Sequence, residues 1–276
     1  MAEQPKQPFQ VRDEAGRTLN YHITPSAGSA ETAPILVTFH GWNGVSSAEI
    51  HGERGAGMPH WNVVFPMDRW GFNRMGAWFL GEQGNYFITK LIAQMVQALR
   101  EIHGYKGPIS FHGTSMGGFG AAMNGILLRI PILLLDIPQT CLLANVYGRY
   151  HKDKLRTVFG SDVVDRINQA LSPDVIPEDL ASFKRWYDVG SMLDSTEESY
   201  RPTILLNQSR FDNSDGGDGN SYLPEQTVRL VNAMVRRRLP FRLDVENRNA
   251  HVTRWNFWKA IKFVDEGLHT REGNED

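Results

Sequence analysis

The stretch that decides the fold is Pro108-Ile109-Ser110-Phe111-His112-Gly113-Thr114-Ser115-Met116-Gly117-Gly118-Phe119-Gly120. Residues 108–112 are apolar enough to predict a buried strand, and the small residues that follow Gly120 favour a helix. Between them lies the pattern G-x-S-x-G, with Ser115 at its centre. Because so sharp a strand-to-helix turn brings backbone segments close together, we expect Gly113 and Gly117 to lie where a Cβ would collide with neighbouring chain.

This strand–turn–helix context is the one in which G-x-S-x-G forms a nucleophile elbow, a strained turn that exposes a serine hydroxyl. The helix that follows directs its positive N-terminal end at Ser115, which favours a developing oxyanion. Two other interpretations compete: a plain glycine turn without chemistry, and a phosphate-binding loop. The second is disfavoured because the stretch lacks both the Lys-Ser/Thr pair of a P-loop and the spacing G-x-G-x-x-G.

Short apolar runs alternate with amphipathic stretches along the rest of the chain. Six runs predict strands, at residues 34–40, 61–66, 108–112, 131–135, 203–206 and 240–245. Three stretches with apolar residues at helical spacing predict helices, at residues 85–102, 225–238 and 252–268. Near-continuous runs of Val, Ile, Leu and Phe are typical of strands buried on both faces of a parallel sheet. The order therefore predicts an α/β fold with a doubly wound, mostly parallel sheet.

One interval breaks the alternation of strands and helices. Residues 141–202 have mixed helical character and no convincing strand. We expect residues 9–268 to form a single domain in which 141–202 is a helical, cap-like insertion over the open edge of the sheet. Helices packed on the side of the sheet are the alternative.

The elbow in this setting resembles the α/β-hydrolase superfamily. The resemblance implies a catalytic triad in the chain order serine, acid, histidine, with Ser115 as the nucleophile. It also implies an oxyanion hole of two backbone N–H groups. Met116, the residue after the nucleophile, supplies one, and Trp42 supplies the other because His40-Gly41-Trp42 follows a buried strand as in the family's oxyanion loop. We expect His40 to brace this loop by hydrogen bonding.

The remaining triad members are expected at the ends of the last two strands. Asp212 lies a short turn beyond the strand at 203–206 and is the expected acid. Asp215 and Asp218, in the same Asp- and Gly-rich loop, and Asp136, after the preceding strand, are the alternatives. His251 follows the strand at 240–245 and is the expected base.

Residues 68–81 form an unusual segment with four aromatic residues, three glycines and two arginines. It predicts a loop at the carboxyl edge of the sheet, where ligands bind in such folds. Trp70 and Trp78 are therefore candidate substrate-binding residues, for a sugar ring or an anionic group; packing beneath the loop is the alternative. Together with the elbow and residues 251–255, the segment is loosely similar to bacterial surface-glycan acetyltransferase-like and capsule-biosynthesis-like proteins.

Composition excludes several classes of function. The 276 residues carry a net charge of −2, so no global positive field attracts nucleic acid or an anionic membrane. A single cysteine, Cys141, excludes a disulfide scaffold. Residues 1–8 have no apolar core of a signal peptide and residues 125–138 are too short and charged to span a bilayer, so a cytoplasmic location is expected. Glu49, His51, Glu53 and His60 lack a dense metal-ligand spacing.

The resulting expectation is an esterase-type serine hydrolase that acts on an ester or amide carbonyl through an acyl-enzyme. Its partner would be a small-molecule or glycan ester, and neither metal nor organic cofactor is required. Two alternatives stay open: an acyltransferase that acts on a carbohydrate hydroxyl, and a catalytically idle hydrolase-fold protein that binds a glycan or protein. Oligomeric state cannot be predicted from the sequence.

Overall fold

The computed structural model describes residues 7–42, 44–45, 58–142, 151–169, 183–209 and 223–246, and the structural statements below concern those ranges. They contain a sheet of eight strands in the order β1-β2-β4-β3-β5-β6-β7-β8. The strands are β1 (Phe9–Arg12), β2 (Thr18–Thr24), β3 (Ile35–Phe39), β4 (Asn62–Met67), β5 (Ile109–Thr114), β6 (Ile132–Asp136), β7 (Thr203–Ser209) and β8 (Phe241–Glu246). Strand β2 runs antiparallel to β1 and β4, and the other pairs are parallel. The predicted α/β fold with a doubly wound, mostly parallel sheet is confirmed.

The six predicted strands are present, with ends displaced by at most about three residues, as strand boundaries generally are. Strands β1 and β2 were not predicted. The sequence of β2 largely alternates: Leu19, Tyr21 and Ile23 are buried, and the residues between them are half-buried except His22, which is also buried. That period of two is typical of a strand with one solvated face, whereas the expected strands were continuous apolar runs.

The helices are α1 (Phe87–Glu101), α2 (Met116–Leu127), α3 (Lys152–Phe159), α4 (Ser161–Gln169), α5 (Val189–Asp194) and α6 (Arg229–Arg236). Helix α1 confirms the helix predicted at 85–102, and it ends where Gly104 adopts a φ of 70° and Tyr105 N–H donates to Leu99 O at 3.0 Å. The helix predicted at 225–238 begins instead as a π-helical turn, Leu223–Val228, and continues as α6. The helix predicted at 252–268 lies outside the described residues. Among the helices that are described, none is both long and apolar enough to cross a lipid bilayer.

Strand register brings the carboxyl ends of the central strands together. Thr114 at the end of β5 pairs with Asp136 of β6, which pairs with Asn207 of β7. Phe39 at the end of β3 pairs with Gly113. Because parallel strands place their carboxyl ends at one edge of the sheet, the residues that follow β3, β5 and β6 meet at a common place.

Helices α3, α4 and α5 lie between β6 and β7, within the predicted insertion 141–202. Its described parts contact the loop that follows β4: Gln83 N–H donates to Thr157 O at 2.9 Å, and the Tyr86 ring stacks on Trp186 with centroids 3.8 Å apart. The Lys154 ammonium lies 4.1 Å from the ring centroid of Trp42. The described residues between β6 and β7 therefore reach residues that follow β3 and β4.

Candidate active site

Ser115 connects β5 to α2 in a strained backbone conformation, with φ 54° and ψ −118°. Such a conformation in a non-glycine residue costs about 1–3 kcal/mol and persists only where the surroundings enforce it. Here Ser115 N–H donates to Asp136 O at 3.0 Å, and Ser115 O accepts from Gln139 N–H and Phe119 N–H, both at 3.2 Å. The residue lies at the carboxyl edge of the sheet and is 8% exposed.

Glycines around Ser115 stand where no side chain fits. A Cβ on Gly113 would lie 2.1 Å from Gly117 O, and one on Gly117 would lie 2.2 Å from Phe39 O. Both contacts are with backbone atoms, which cannot move without displacing a strand or helix. The crowding predicted for these two positions is confirmed. It extends to Gly120, whose Cβ would lie 2.6 Å from the Phe79 ring.

Two backbone N–H groups were predicted to bind an oxyanion. Met116 is the first residue of α2, so its N–H belongs to the helix turn whose donors have no acceptor in a preceding turn. Trp42 is half-buried in the loop after β3, and a Cβ on its neighbour Gly41 would lie 3.5 Å from Thr114 O. The loop after β3 is thus adjacent to the end of β5.

His40 braces this loop, as predicted. Its Nδ1 lies 2.8 Å from Gly41 O, and Asp68 N–H donates to its Nε2 at 3.0 Å. Because a carbonyl only accepts and an amide only donates, Nδ1 carries the proton and Nε2 does not. Burial lowers the pKa of His40 to about 4, so the ring is neutral at physiological pH. A neutral ring with both nitrogens engaged serves to position the loop.

The Asp68 carboxylate organises the segment 68–81, which is a loop as predicted and contains only a short 3-10 turn, Phe72–Arg74. It accepts from the N–H groups of Ala77 at 2.6 Å, Phe79 at 2.8 Å and Trp70 at 3.2 Å. Burial raises its pKa to about 6, although these donors favour the charged form. Asp68 is not among the residues predicted from the sequence, although an acidic residue directly after the buried strand β4 is a recognisable signal.

A hydrogen-bonded chain links this loop to the serine. Trp78 N–H (indole) donates to Gln139 Oε1 at 2.6 Å, and Gln139 Nε2 lies 3.4 Å from Ser115 Oγ. Trp78 is fully buried and Gln139 is 5% exposed. An indole N–H only donates, so it fixes the amide with its oxygen toward Trp78 and its nitrogen toward Ser115. Gln139, which follows β6, is likewise not among the residues predicted from the sequence.

Comparison with solved structures identifies the fold. The chain is similar to an S-formylglutathione hydrolase from Agrobacterium tumefaciens, with 16% identity and a TM-score of 0.59 over 95% of this chain and 92% of that one. It is similar to a ferulic acid esterase, with 13% identity and a TM-score of 0.59 over 96% of both chains. The chain has the α/β-hydrolase fold. Pyrococcus horikoshii acylaminoacyl peptidase is also similar, with 12% identity and a TM-score of 0.59 over 90% of this chain and 38% of the peptidase.

No family model and no curated protein sequence matches the chain. At identities as low as those above, structural likeness establishes the α/β-hydrolase fold and leaves the activity to be argued from the site. The looser similarity to surface-glycan acetyltransferases stays a prediction.

The triad predicted for this α/β-hydrolase fold is only partly within the described residues. Asp212, Asp215, Asp218 and His251 lie outside them. Asp136 lies at the end of β6, where its Oδ1 accepts from Asn207 Nδ2 at 3.0 Å and its Oδ2 lies 3.5 Å from Thr114 Oγ1.

The two tryptophans predicted to bind substrate have different surroundings. Trp70 is half-buried and lines a pocket beside β2 and β4. Trp78 is fully buried, and its ring lies 5.1 Å from that of Trp42 and bonds to Gln139. His112, predicted to pack in the core, is buried on β5, and burial lowers its pKa to about 4. In the described ranges no group of three or more His, Cys, Asp and Glu side chains could hold a metal ion.

Proposed function

We propose that this protein is an esterase-type serine hydrolase that cleaves an ester or amide carbonyl through an acyl-enzyme on Ser115. The observation that carries the proposal is the strained backbone of Ser115 at the strand–helix junction, enforced by glycines that admit no side chain. Strain of this kind persists at functional sites, where it holds a reactive group in place. A plain glycine turn has no need of a serine with φ 54° at its centre.

In the proposed reaction, Ser115 Oγ attacks the carbonyl carbon while His251 takes the hydroxyl proton. Asp212 holds the His251 ring in the required tautomer and stabilises its cation. The carbonyl oxygen becomes an oxyanion that the N–H groups of Met116 and Trp42 stabilise; losing one such donor costs about 3 kcal/mol. Collapse of the tetrahedral intermediate breaks the bond to the leaving group, which takes the proton from His251, and water then hydrolyses the acyl-enzyme.

Gln139 supports this assignment because of the direction of its hydrogen bond. Its Nε2 can only donate, so at 3.4 Å it occupies a lone pair of Ser115 Oγ and leaves the hydroxyl proton for another acceptor. A serine whose proton is directed to a base is the arrangement that nucleophilic catalysis needs. We assign that acceptor to His251.

The first test is intact-mass spectrometry after exposure to a fluorophosphonate probe. We expect one adduct on the wild type, none on Ser115→Ala, and a much slower reaction of His251→Ala. Ser110→Ala, a substitution of a buried serine within β5, is the matched control and should react like the wild type. A folded wild-type protein that forms no adduct, or an adduct that persists in Ser115→Ala, would overturn the proposal.

The identity of the acid is tested separately. Asp212→Asn should lower the rate of adduct formation strongly, whereas Asp215→Asn, Asp218→Asn and Asp136→Asn should leave it close to that of the wild type. If Asp136→Asn alone abolished the reaction, the acid would be the residue at the end of β6 instead.

A further inference from the structure

A pocket of about 370 Å³ lies on the β2–β4 side of the sheet, formed by both strands and by the loop that follows β4. Its lining includes Asn20, Met67, Arg69, Trp70, Arg74 and Glu82. It contains none of the residues assigned above to catalysis. Two guanidinium groups against one carboxylate give the lining a net positive charge.

Trp70 forms a rigid wall of this pocket. Its indole N–H donates to Thr18 O at 3.2 Å, and its backbone N–H donates to Asp68 Oδ1 at 3.2 Å. Its ring packs edge-to-face on Phe87 with centroids 4.8 Å apart. A ring held on several sides can receive a ligand without losing further conformational freedom.

The chain bends sharply to place Arg74 in the pocket. Asn73 and Arg74 are consecutive residues with φ of 53° and 59°, a left-handed conformation that costs about 1–2 kcal/mol per residue. The turn is closed by Gly76 N–H, which donates to Trp70 O at 2.9 Å, and by Gly71, where a Cβ would lie 2.2 Å from Gly76 O. The hydrogen bond and the close backbone contact of this turn fix the backbone on either side of Arg74.

The charged side chains in and beside the pocket differ in their hydrogen bonds and ion pairs within the protein. Glu82 Oε1 accepts from Gly71 N–H at 2.7 Å. The nearby Arg17 is paired with Asp13 at 2.7 Å and lies over the Phe87 ring. Within the part of the chain that the structure describes, no carboxylate pairs with Arg74.

We propose that this pocket binds a small ligand that carries a carboxylate or phosphate group, with Arg69 and Arg74 on the anionic oxygens and the Trp70 ring against an uncharged part of the ligand. Planar guanidinium groups match both anions through paired hydrogen bonds. The site is separate from Ser115, and the proposal does not depend on the serine chemistry.

The test is isothermal titration calorimetry at constant ionic strength, with inorganic phosphate and with glucuronate, which carries its carboxylate on a sugar ring. We expect saturable binding of at least one probe. Arg74→Gln should weaken it about tenfold, which corresponds to about 1.4 kcal/mol, and Arg69→Gln should act in the same direction. Arg129→Gln is the matched control, because Arg129 is also exposed, also left-handed at φ 56°, and lies outside the pocket.

The two probes distinguish the sources of the anion. If only phosphate binds, the ligand is a phosphate. If glucuronate binds and Trp70→Phe weakens that binding, the ligand is an acidic sugar or a similar carboxylate. Ser115→Ala should bind either probe like the wild type, so a failure of the serine chemistry leaves this result unaffected. The proposal is overturned if neither probe binds saturably, or if Arg74→Gln, folded by circular dichroism, binds as tightly as the wild type.

Discussion

The hydrogen bond between Trp78 and Gln139 is the contact in the site whose energy and consequence can be predicted most sharply. The donor and acceptor are 2.6 Å apart, and both side chains are buried. The perturbation is a double-mutant cycle: Trp78→Phe removes the donor, Gln139→Met removes the acceptor, and the double variant removes both.

The magnitude follows from what each change leaves unpaired. Gln139→Met leaves a buried indole N–H without an acceptor, which costs about 1–3 kcal/mol in the free energy of unfolding. Trp78→Phe leaves the Gln139 carbonyl unpaired and also removes packed volume. In the double variant neither group remains to be penalised, so its loss of stability should be smaller than the sum of the single losses by about 1–2 kcal/mol.

Urea denaturation followed by circular dichroism measures the four unfolding free energies, and the rate of fluorophosphonate adduct formation measures the reactivity of Ser115. We expect both single variants to react about fivefold more slowly, since about 1 kcal/mol of orientation is lost. Trp78→Phe should slow the reaction because Gln139 loses its anchor, although Trp78 itself makes no hydrogen bond to the serine hydroxyl.

Tyr200→Phe is the control for destabilisation alone. The buried Tyr200 hydroxyl bonds to Gly125 O and Ile130 O, at the opposite end of α2 from Ser115, so its loss should lower stability and leave the labelling rate unchanged. Additive stabilities in the cycle would refute the hydrogen bond. Wild-type labelling by a destabilised Gln139→Met would refute its role in orienting the nucleophile.

Other contacts give further predictions. Gly117→Ala forces a Cβ against a backbone carbonyl and should lower the free energy of unfolding by about 3 kcal/mol or more. Gly125→Ala in the same helix meets a leucine methyl group that can move, so it should lower the free energy of unfolding by less. Urea denaturation measures both values, and equal losses would contradict the prediction. Because burial raises the Asp68 pKa from 3.8 to about 6, the folded state holds that proton more tightly than the unfolded chain, so stability falls as pH rises from about 4 to 6. The stability of the wild type relative to Asp68→Asn, measured by urea denaturation across that window, should therefore decrease by up to about 3 kcal/mol; a constant difference would contradict the assignment. Burial lowers the pKa of His40 and His112 to about 4, so their side-chain ¹⁵N resonances should still be those of neutral rings at pH 5.5, and charged rings at that pH would be incompatible with the buried positions.

The parallel core could be predicted because its signal is local and strong. Strands β5 and β6 are buried on both faces, so each reads as a run of apolar residues without reference to any other strand. Strand β1 is four residues long and largely exposed, so burial leaves almost no pattern in it. Its position depends on its pairing with β2, and this pairing cannot be predicted from the residues of one strand alone.

In the candidate site, too, the residues with a local sequence signal could be predicted and a residue that depends on strand pairing could not. Gly113, Ser115 and Gly117 lie within five residues of one another, so the sterics of a single turn predicted them. Gln139 becomes informative only when β6 is known to lie beside β5, since that pairing brings the residue after β6 to the serine. A polar residue that follows the strand next to a nucleophile strand is the signal that would have identified it.

In the loop 68–81, hydrogen bonds to the buried Asp68 carboxylate determine the positions of Trp70 and Trp78, which the composition of the loop does not predict. Its aromatic residues and glycines predicted a loop at the carboxyl edge, and packing and ligand binding were competing roles for Trp70 and Trp78. Three N–H groups converging on Asp68 fix one indole in the interior toward Gln139 and leave the other at the wall of the arginine-lined pocket. Trp78 is therefore packed in the interior, whereas ligand binding by Trp70 stays a prediction. The sequence could not separate packing from ligand binding, because the backbone N–H groups that bond to Asp68 are known only from the tertiary structure.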